Sequence, residues 1–172
     1  MSLQQFLAYK EIKGHVFKVE MKKMPGNAGI IQTVDVMKKM REFYKKDPII
    51  RTFVLKKLVR YKRINALEDI ETVYHILKER LRYVSDIHGI ETVQSPRYTW
   101  NVRAGDCDDF ALIGAVFLET VGIPTKFKIV GKGNEFSHIY TLAQYRGNWY
   151  PFDLTASKFG VERKGYTLNK IL

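Results

Sequence analysis

Between Asp106 and Val121 the chain reads DCDDFALIGAVFLETV, and this stretch constrains the fold more than any other. Asp106 suits a helix N-cap, and Asp109 three residues on makes a capping box with Asp in place of Glu. Gly122 fits the C′ position, and Pro124 prevents continuation. From Phe110 to Leu118 almost no polar face is left. A helix that is apolar nearly all round must be buried. The spacing therefore predicts that Asp106–Val121 is the central helix of a core. Its apolar run, Ala111 to Leu118, is far too short to cross a bilayer.

The rest of the chain supplies what would pack around it. His15 to Lys22 alternates loosely as a strand, and Pro25-Gly26-Asn27 marks a turn. Thr33 is placed to cap a helix running to about Lys45, with Val36, Met37, Met40 and Tyr44 on one face. Asp47-Pro48 opens a second helix that buries Ile50, Phe53, Val54 and Leu58. Leu67 to Asp86 reads as a third, with Ile70, Val73, Tyr74, Leu77 and Leu81 at helical spacing. Ile90 to Val102, interrupted by Pro96, reads as an irregular approach to the central helix. Beyond it, Lys126 to Val130 alternates as a strand. Phe136 to Tyr145 and Asn148 to Leu154 form a hairpin around Arg146-Gly147. With a two-residue loop, Thr141 faces Phe152 and Ala143 faces Tyr150, giving one apolar face. The opposite face carries His138, Tyr140 and Leu142 with Trp149, Pro151 and Asp153. His138 and Asp153 become diagonal neighbours there, about 7–8 Å apart at the backbone, within reach of a side-chain hydrogen bond.

With 172 residues, 45% of them hydrophobic, the chain fits one globular domain. Met1 to Lys10 lacks the basic start and apolar stretch of a signal peptide, and one cysteine excludes an internal disulfide framework. A cytoplasmic location is the expectation. The net charge of +11 is uneven: Met1 to Arg63 holds 16 Lys and Arg against 5 Asp and Glu, whereas the remainder holds 13 of each. A basic region of this kind recruits nucleic acid or an acidic partner, or is a solvated exterior.

The candidate chemistry sits in the neutral part. Cys107 follows the N-cap of the buried helix, where the dipole and free backbone N–H groups favour a thiolate and can steady an oxyanion. Asp106, Asp108 and Asp109 push the other way, so the helix end alone activates this thiol poorly. A cationic partner is required, and His138, oriented by Asp153, is the candidate among four histidines. His15 lies in the basic arm, His75 on a helix and His88 in a connection. The three aspartates lack the Gly and Glu positions of a calcium loop, and one Cys with scattered His makes no zinc set. Neither a metal nor a cofactor is expected.

Arg103-Ala104-Gly105-Asp106-Cys107-Asp108-Asp109-Phe110-Ala111 resembles the nucleophile motif of the transglutaminase-like superfamily. Gly122-Ile123-Pro124-Thr125 resembles its helix exit, Phe136-Ser137-His138-Ile139-Tyr140 its histidine strand, and Trp149 to Thr155 its W-x-P-x-D-x-T aspartate strand. The resemblance covers about Tyr98 to Ser157 in the family's order of Cys, His, Asp. It implies an α+β, papain-like core, with a buried central helix on an antiparallel sheet and an N-terminal mainly helical extension. The chain then divides into a basic, mainly helical part, 1–65, and a catalytic core, 66–172, within a single domain. The resemblance also implies acyl transfer on a protein or peptide substrate through a thioester, with Cys107, His138 and Asp153 as triad and no cofactor. Trp100 and Gln94 are the candidates for a second oxyanion donor. Asp108 stands where an aromatic follows the cysteine in animal cross-linking enzymes, which favours water over an amine as acceptor. The N-terminal third is similar to an extension in small phage and prophage members. The alternatives are therefore a phage morphogenesis scaffold that grips DNA or an acidic partner through Lys10 to Arg63, or an amine-accepting transglutaminase.

Overall fold

The computed structural model describes residues 8–12, 15–22, 24–59, 66–87 and 89–172, with their side chains except those of 8–17, 59 and 66. Strands β1 (Ala8–Ile12) and β2 (His15–Lys22) precede helices α1 (Asn27–Tyr44), α2 (Pro48–Val59) and α3 (Ala66–Arg80). Short elements follow: β3 (Arg82–Tyr83), β4 (Ile90–Gln94), α4 (Pro96–Val102) and β5 (Ala104–Gly105). Then come α5 (Cys107–Glu119), β6 (Thr125–Lys132), β7 (Glu135–Tyr145), β8 (Asn148–Phe152) and β9 (Leu168–Ile171). Strands β8-β7-β6-β9 form an antiparallel sheet, β1-β2-β4 a second one, and β3 pairs in parallel with β5. Among the described residues no helix is long and apolar enough to cross a membrane.

Helix α5 is the buried centre: every residue from Asp108 to Leu118 is buried. Asp106 caps it, and Asp109 Oδ2 accepts the Asp106 backbone N–H at 3.3 Å, the expected capping box. The helix seats on the sheet at two points. Thr141 Oγ1 on β7 donates to the Ala111 carbonyl at 2.7 Å, and Gly114 lets the helix approach the fully buried ring of Phe152 on β8. A Cβ at Gly114 would lie 2.7 Å from Phe152 Cε1.

The hairpin register is the expected one. Thr141 faces Phe152, Ala143 faces Tyr150, and Tyr145 closes against Asn148. Arg146 (φ 48°) and Gly147 (φ 81°) both take left-handed backbone, as a two-residue turn matched to strand twist requires. The apolar face of the hairpin thus meets α5. The other face gathers Tyr140, Leu142 and Trp149 in a small cluster with Val130 and Tyr166.

Four expectations need correction. Helix α1 starts six residues before Thr33, because the turn at Gly26 (φ 59°) leads straight into it. Thr33 lies inside, its hydroxyl donating to the Gly29 carbonyl at 3.1 Å. Helix α3 stops at Arg80 rather than Asp86, since Arg82 and Tyr83 pair with Ala104 and Gly105. Ile90 to Val102 is regular: β4 pairs with β2, and Ser95 caps α4 with Pro96 in its first turn. The expected strand to Leu154 ends at Phe152. The second helix has the expected start, with the Ile49 N–H bound to Asp47 Oδ1 at 2.9 Å and Arg97 of α4 clamping both Asp47 oxygens. In the basic region, the Phe17 side chain and residues Tyr61 and Arg63 lie outside what is described, as do His88 and the His15 side chain.

Gly114→Ala should lower the stability of the fold by about 1–3 kcal/mol, the usual range for overpacking a closed core. Urea denaturation checks this, and an unchanged midpoint would mean that the α5–β8 contact is looser than described.

Candidate active site

Cys107 is the first residue of α5 and is partly accessible. It shares a cleft with Ser137 and Ile139, the residues on either side of His138 on β7, and the Ile139 backbone N–H favours its thiolate. Seating α5 on the sheet therefore brings the thiol to the strand that carries the histidine. His138 is 7% exposed, and its Nε2 lies 2.8 Å from Asp153 Oδ2. The diagonal relation expected from the hairpin register is thus closed by the side chains. With Nε2 engaged, Nδ1 is the ring nitrogen left for a reacting group. The ring lies nearly parallel to those of Tyr140 and Tyr166, with centroids at 5.8 Å and 6.2 Å.

Asp153 is held by the turn that follows β8. Its Oδ1 accepts the Thr155 backbone N–H at 2.8 Å and the Thr155 hydroxyl at 2.6 Å. The turn is tied to α3, where Lys78 Nζ donates to the Leu154 and Ala156 carbonyls at 2.6 Å and 2.9 Å. Burial by itself would raise the Asp153 carboxyl, but the hydrogen bond and charge of His138, with the Thr155 bonds, hold it below the usual carboxylate range.

Cys107 is affected in the opposite sense. Burial first, then the Asp106 carboxylate, push its thiol up to about 12, against the opposing effect of the Ile139 backbone N–H; Glu91 and Asp109 add to the rise. Asp109, wholly buried, is itself pushed well above the carboxylate range by burial and by Asp106, although the backbone N–H groups of Gln94 and Asp106 bind it. One donor atom each from Asp106, Asp108 and Asp109 lie within 4.8 Å of one another. Asp108 is 2% exposed, and its Oδ2 has no hydrogen-bond partner among the described residues.

The two expected oxyanion donors sit elsewhere. Trp100 packs between Phe53 and Phe117 beneath the Arg80 guanidinium, which lies 4.0 Å from its ring centroid. Gln94 gives its backbone N–H to Asp109, and its side-chain oxygen is buried with no hydrogen-bond partner among the described residues. Among the described residues, neither lines the cleft that holds Cys107. Tyr83 does, and it also lines the cleft that holds His138. Its ring stands edge-on to Phe110 at 6.1 Å, and burial, then the charge of Cys107, raise its hydroxyl. Reading 67–86 as one helix hid this residue; the signal against it was the lack of any helix cap before Asp86. His75 is remote, exposed beside Glu71.

No family model and no curated protein matches this sequence. Solved structures do match in fold. A cysteine-protease candidate from Cytophaga hutchinsonii aligns with TM-score 0.54 at 20% identity, over 74% of this chain and 43% of that one. A protease candidate from Parabacteroides distasonis aligns with TM-score 0.58 at 16% identity, over 78% and 27%. Calcium-bound LapG of Legionella pneumophila aligns with TM-score 0.51 at 23% identity, over 73% and 75%. The present chain thus spans less than half the length of the first two. The architecture is the mixed helix-and-sheet, transglutaminase-like fold of these proteins.

The lowered Asp153 carboxyl has a definite pH consequence. Its contribution to stability is complete above the unfolded value of about 3.9 and is lost as pH falls through the lower folded value. Asp153→Asn should flatten the acid limb of the urea midpoint against pH below about pH 4. An identical acid limb in both proteins would show that the carboxylate is not stabilised as described.

Proposed function

We propose that the chain is a cysteine hydrolase that cleaves a protein or peptide amide bond through a thioester on Cys107. The observation that carries this reading is the buried His138–Asp153 contact at 2.8 Å, with His138 on β7 between Ser137 and Ile139, which share a cleft with Cys107. Cys107 Sγ attacks the carbonyl carbon, and its proton passes to His138 Nδ1. Because the resting thiol is held protonated, His138 acts as general base during attack rather than as one half of a standing ion pair. Backbone N–H groups at the start of α5 steady the oxyanion. Collapse breaks the C–N bond, and the leaving amine takes the proton from Nδ1. Water then gives a proton to His138 and attacks the thioester, releasing the acid and returning the proton to sulfur. Asp153 keeps the ring oriented through its contact with Nε2.

Water is preferred to an amine as acceptor because Asp108, not an aromatic, follows the nucleophile. The rival reading, a phage morphogenesis scaffold working through the basic region, gives the His138–Asp153 pair no use. Under either reading a partner for the basic region would be acidic, nucleic acid included.

A divalent cation belongs to this reading. LapG of Legionella has been solved calcium-bound. Here Asp106, Asp108 and Asp109 fit a hard cation: three carboxylates converge, and Asp108 Oδ2 is buried without a hydrogen-bond partner among the described residues. A cation held there would offset negative charge beside the nucleophile.

Cys107→Ser and His138→Ala should each abolish cleavage of any peptide that the wild type cuts, by at least about a hundredfold, with melting temperature little changed in Cys107→Ser. Wild-type turnover in either variant would remove the triad from the reaction. Millimolar calcium should raise the melting temperature of the wild type but not of Asp108→Asn; equal shifts in both would remove the cation from this cluster.

A further inference from the structure

The short strand β3 has two sides. Tyr83 lines the clefts of Cys107 and His138, whereas its neighbours Arg82 and Val84 line a separate cleft of about 810 Å³. Successive side chains of a strand point to opposite faces, so this cleft backs onto the candidate active site. Among the described residues the walls of the two have none in common. The charged lining of the separate cleft is Lys57, Arg80, Arg82 and Arg103, against one carboxylate, Glu79. Three of these four cations belong to the part of the chain beyond Arg63, which holds 13 Lys and Arg against 13 Asp and Glu, so the concentration of positive charge is local.

Neutral groups position two of these cations. The Arg80 guanidinium lies 4.0 Å from the centre of the Trp100 ring, and its Nε–H donates to the Trp100 carbonyl at 3.3 Å. Lys57 Nζ lies 5.7 Å from the centre of the Phe53 ring. Burial, then the like charge of Arg103, disfavour the ionised form of Arg80. Among the described residues, none of the four cations and not Glu79 takes part in an ion pair. The undescribed side chains do not reverse this balance. Of the 18 Asp and Glu only Glu11 is among them, on β1, and the sheet β1-β2-β4 contributes no wall of the cleft. Residues 60–65, which follow α2 in the chain, include Arg60, Lys62 and Arg63 and no carboxylate. Two apolar side chains, Val84 and Val102, line the same cleft and are 56% and 43% exposed.

Cations beside exposed valines suit a ligand that carries both carboxylates and apolar side chains. Guanidinium groups take carboxylates as paired forks. A single strand of nucleic acid would instead need an open aromatic face for its bases. Here Phe53 and Trp100 each already carry a cation, and they pack on each other at 4.7 Å. We propose that this cleft binds an acidic peptide segment of a protein partner, with its carboxylates on Arg80, Arg82 and Arg103 and an apolar side chain on Val84 and Val102. None of Cys107, His138 and Asp153 lines it, so the proposal stands apart from the hydrolase reading.

The chain has two tryptophans, and Trp149→Phe leaves Trp100 as the reporter. The probe is the acetylated and amidated peptide EEVEEVEE, titrated at low salt while Trp100 emission is followed. Binding should saturate and should weaken about tenfold or more in about 1 M NaCl. The peptide QQVQQVQQ should bind at least about tenfold more weakly, because its charge is gone, and EESEESEE several-fold more weakly. Arg82 and Arg103 are exposed, and Asn tolerates the left-handed backbone at position 103 (φ 61°). Arg82→Gln/Arg103→Asn should therefore lower the affinity several-fold with the fold kept. Lys158→Gln/Lys164→Gln removes the same charge outside the cleft and should leave the affinity unchanged. The absence of a saturable change, equal binding of QQVQQVQQ or EESEESEE, or equal losses in the two double variants overturns the proposal. Tighter binding of an oligothymidylate of the same charge, lost in Arg82→Gln/Arg103→Asn, overturns it in favour of nucleic acid. The peptide comparisons use the unsubstituted cleft, so they decide the matter even if that variant fails to fold.

Discussion

The contact between α5 and the β7–β8 hairpin sets everything else in this protein. An apolar helix can be buried against a sheet in many rotations, but only one satisfies the hydrogen bond from Thr141 to the Ala111 carbonyl while Gly114 accepts the Phe152 ring. That seating determines where the helix N-terminus points. It brings Cys107 into one cleft with Ser137 and Ile139, the neighbours of the histidine on β7. On the far side of the same hairpin, the register that buries Phe152 also puts Asp153 beside His138. Core packing and site geometry are therefore one constraint, and a shift of α5 would disturb both.

Electrostatics divides the site in two. In the pair His138–Asp153 the histidine favours the charged form of the carboxyl, and Thr155 and Lys78 hold the turn that makes this possible. The thiol is surrounded instead by Asp106, Asp109 and Glu91, all of which oppose a thiolate. A capping box strong enough to start a buried helix has a cost to the nucleophile it carries. The proposed chemistry meets that cost in two ways, by proton transfer to His138 during attack and by a cation beside the aspartates. Both act on charge near the sulfur.

What was legible in the sequence follows from how local each signal is. The capping box, the run of apolar residues to Leu118 and the stop at Gly122-Ile123-Pro124 are contiguous, so the central helix was readable with its role. The Arg146-Gly147 turn fixes pairing by simple counting, which placed His138 and Asp153 on one face before any coordinates. The segment from Leu81 to Val102 was not legible, because its strands are two to five residues long and pair with partners far along the chain. Tyr83 lies in that segment. Trp100 illustrates the reverse error: its place in the approach to the helix suggested a donor, whereas Phe53 and Phe117, remote in sequence, claim its ring. The gathering of the three aspartates was visible as a motif, but the buried, unpartnered oxygen of Asp108 could come only from packing.

The central claim is that Cys107 reacts through His138. Single-turnover acylation by an activated peptide ester, followed as the intact mass of the protein, tests it without knowledge of the natural substrate. The account predicts one acyl group on Cys107, formed at least about a hundredfold more slowly in His138→Gln than in wild type. Acylation of His138→Gln at the wild-type rate would contradict it.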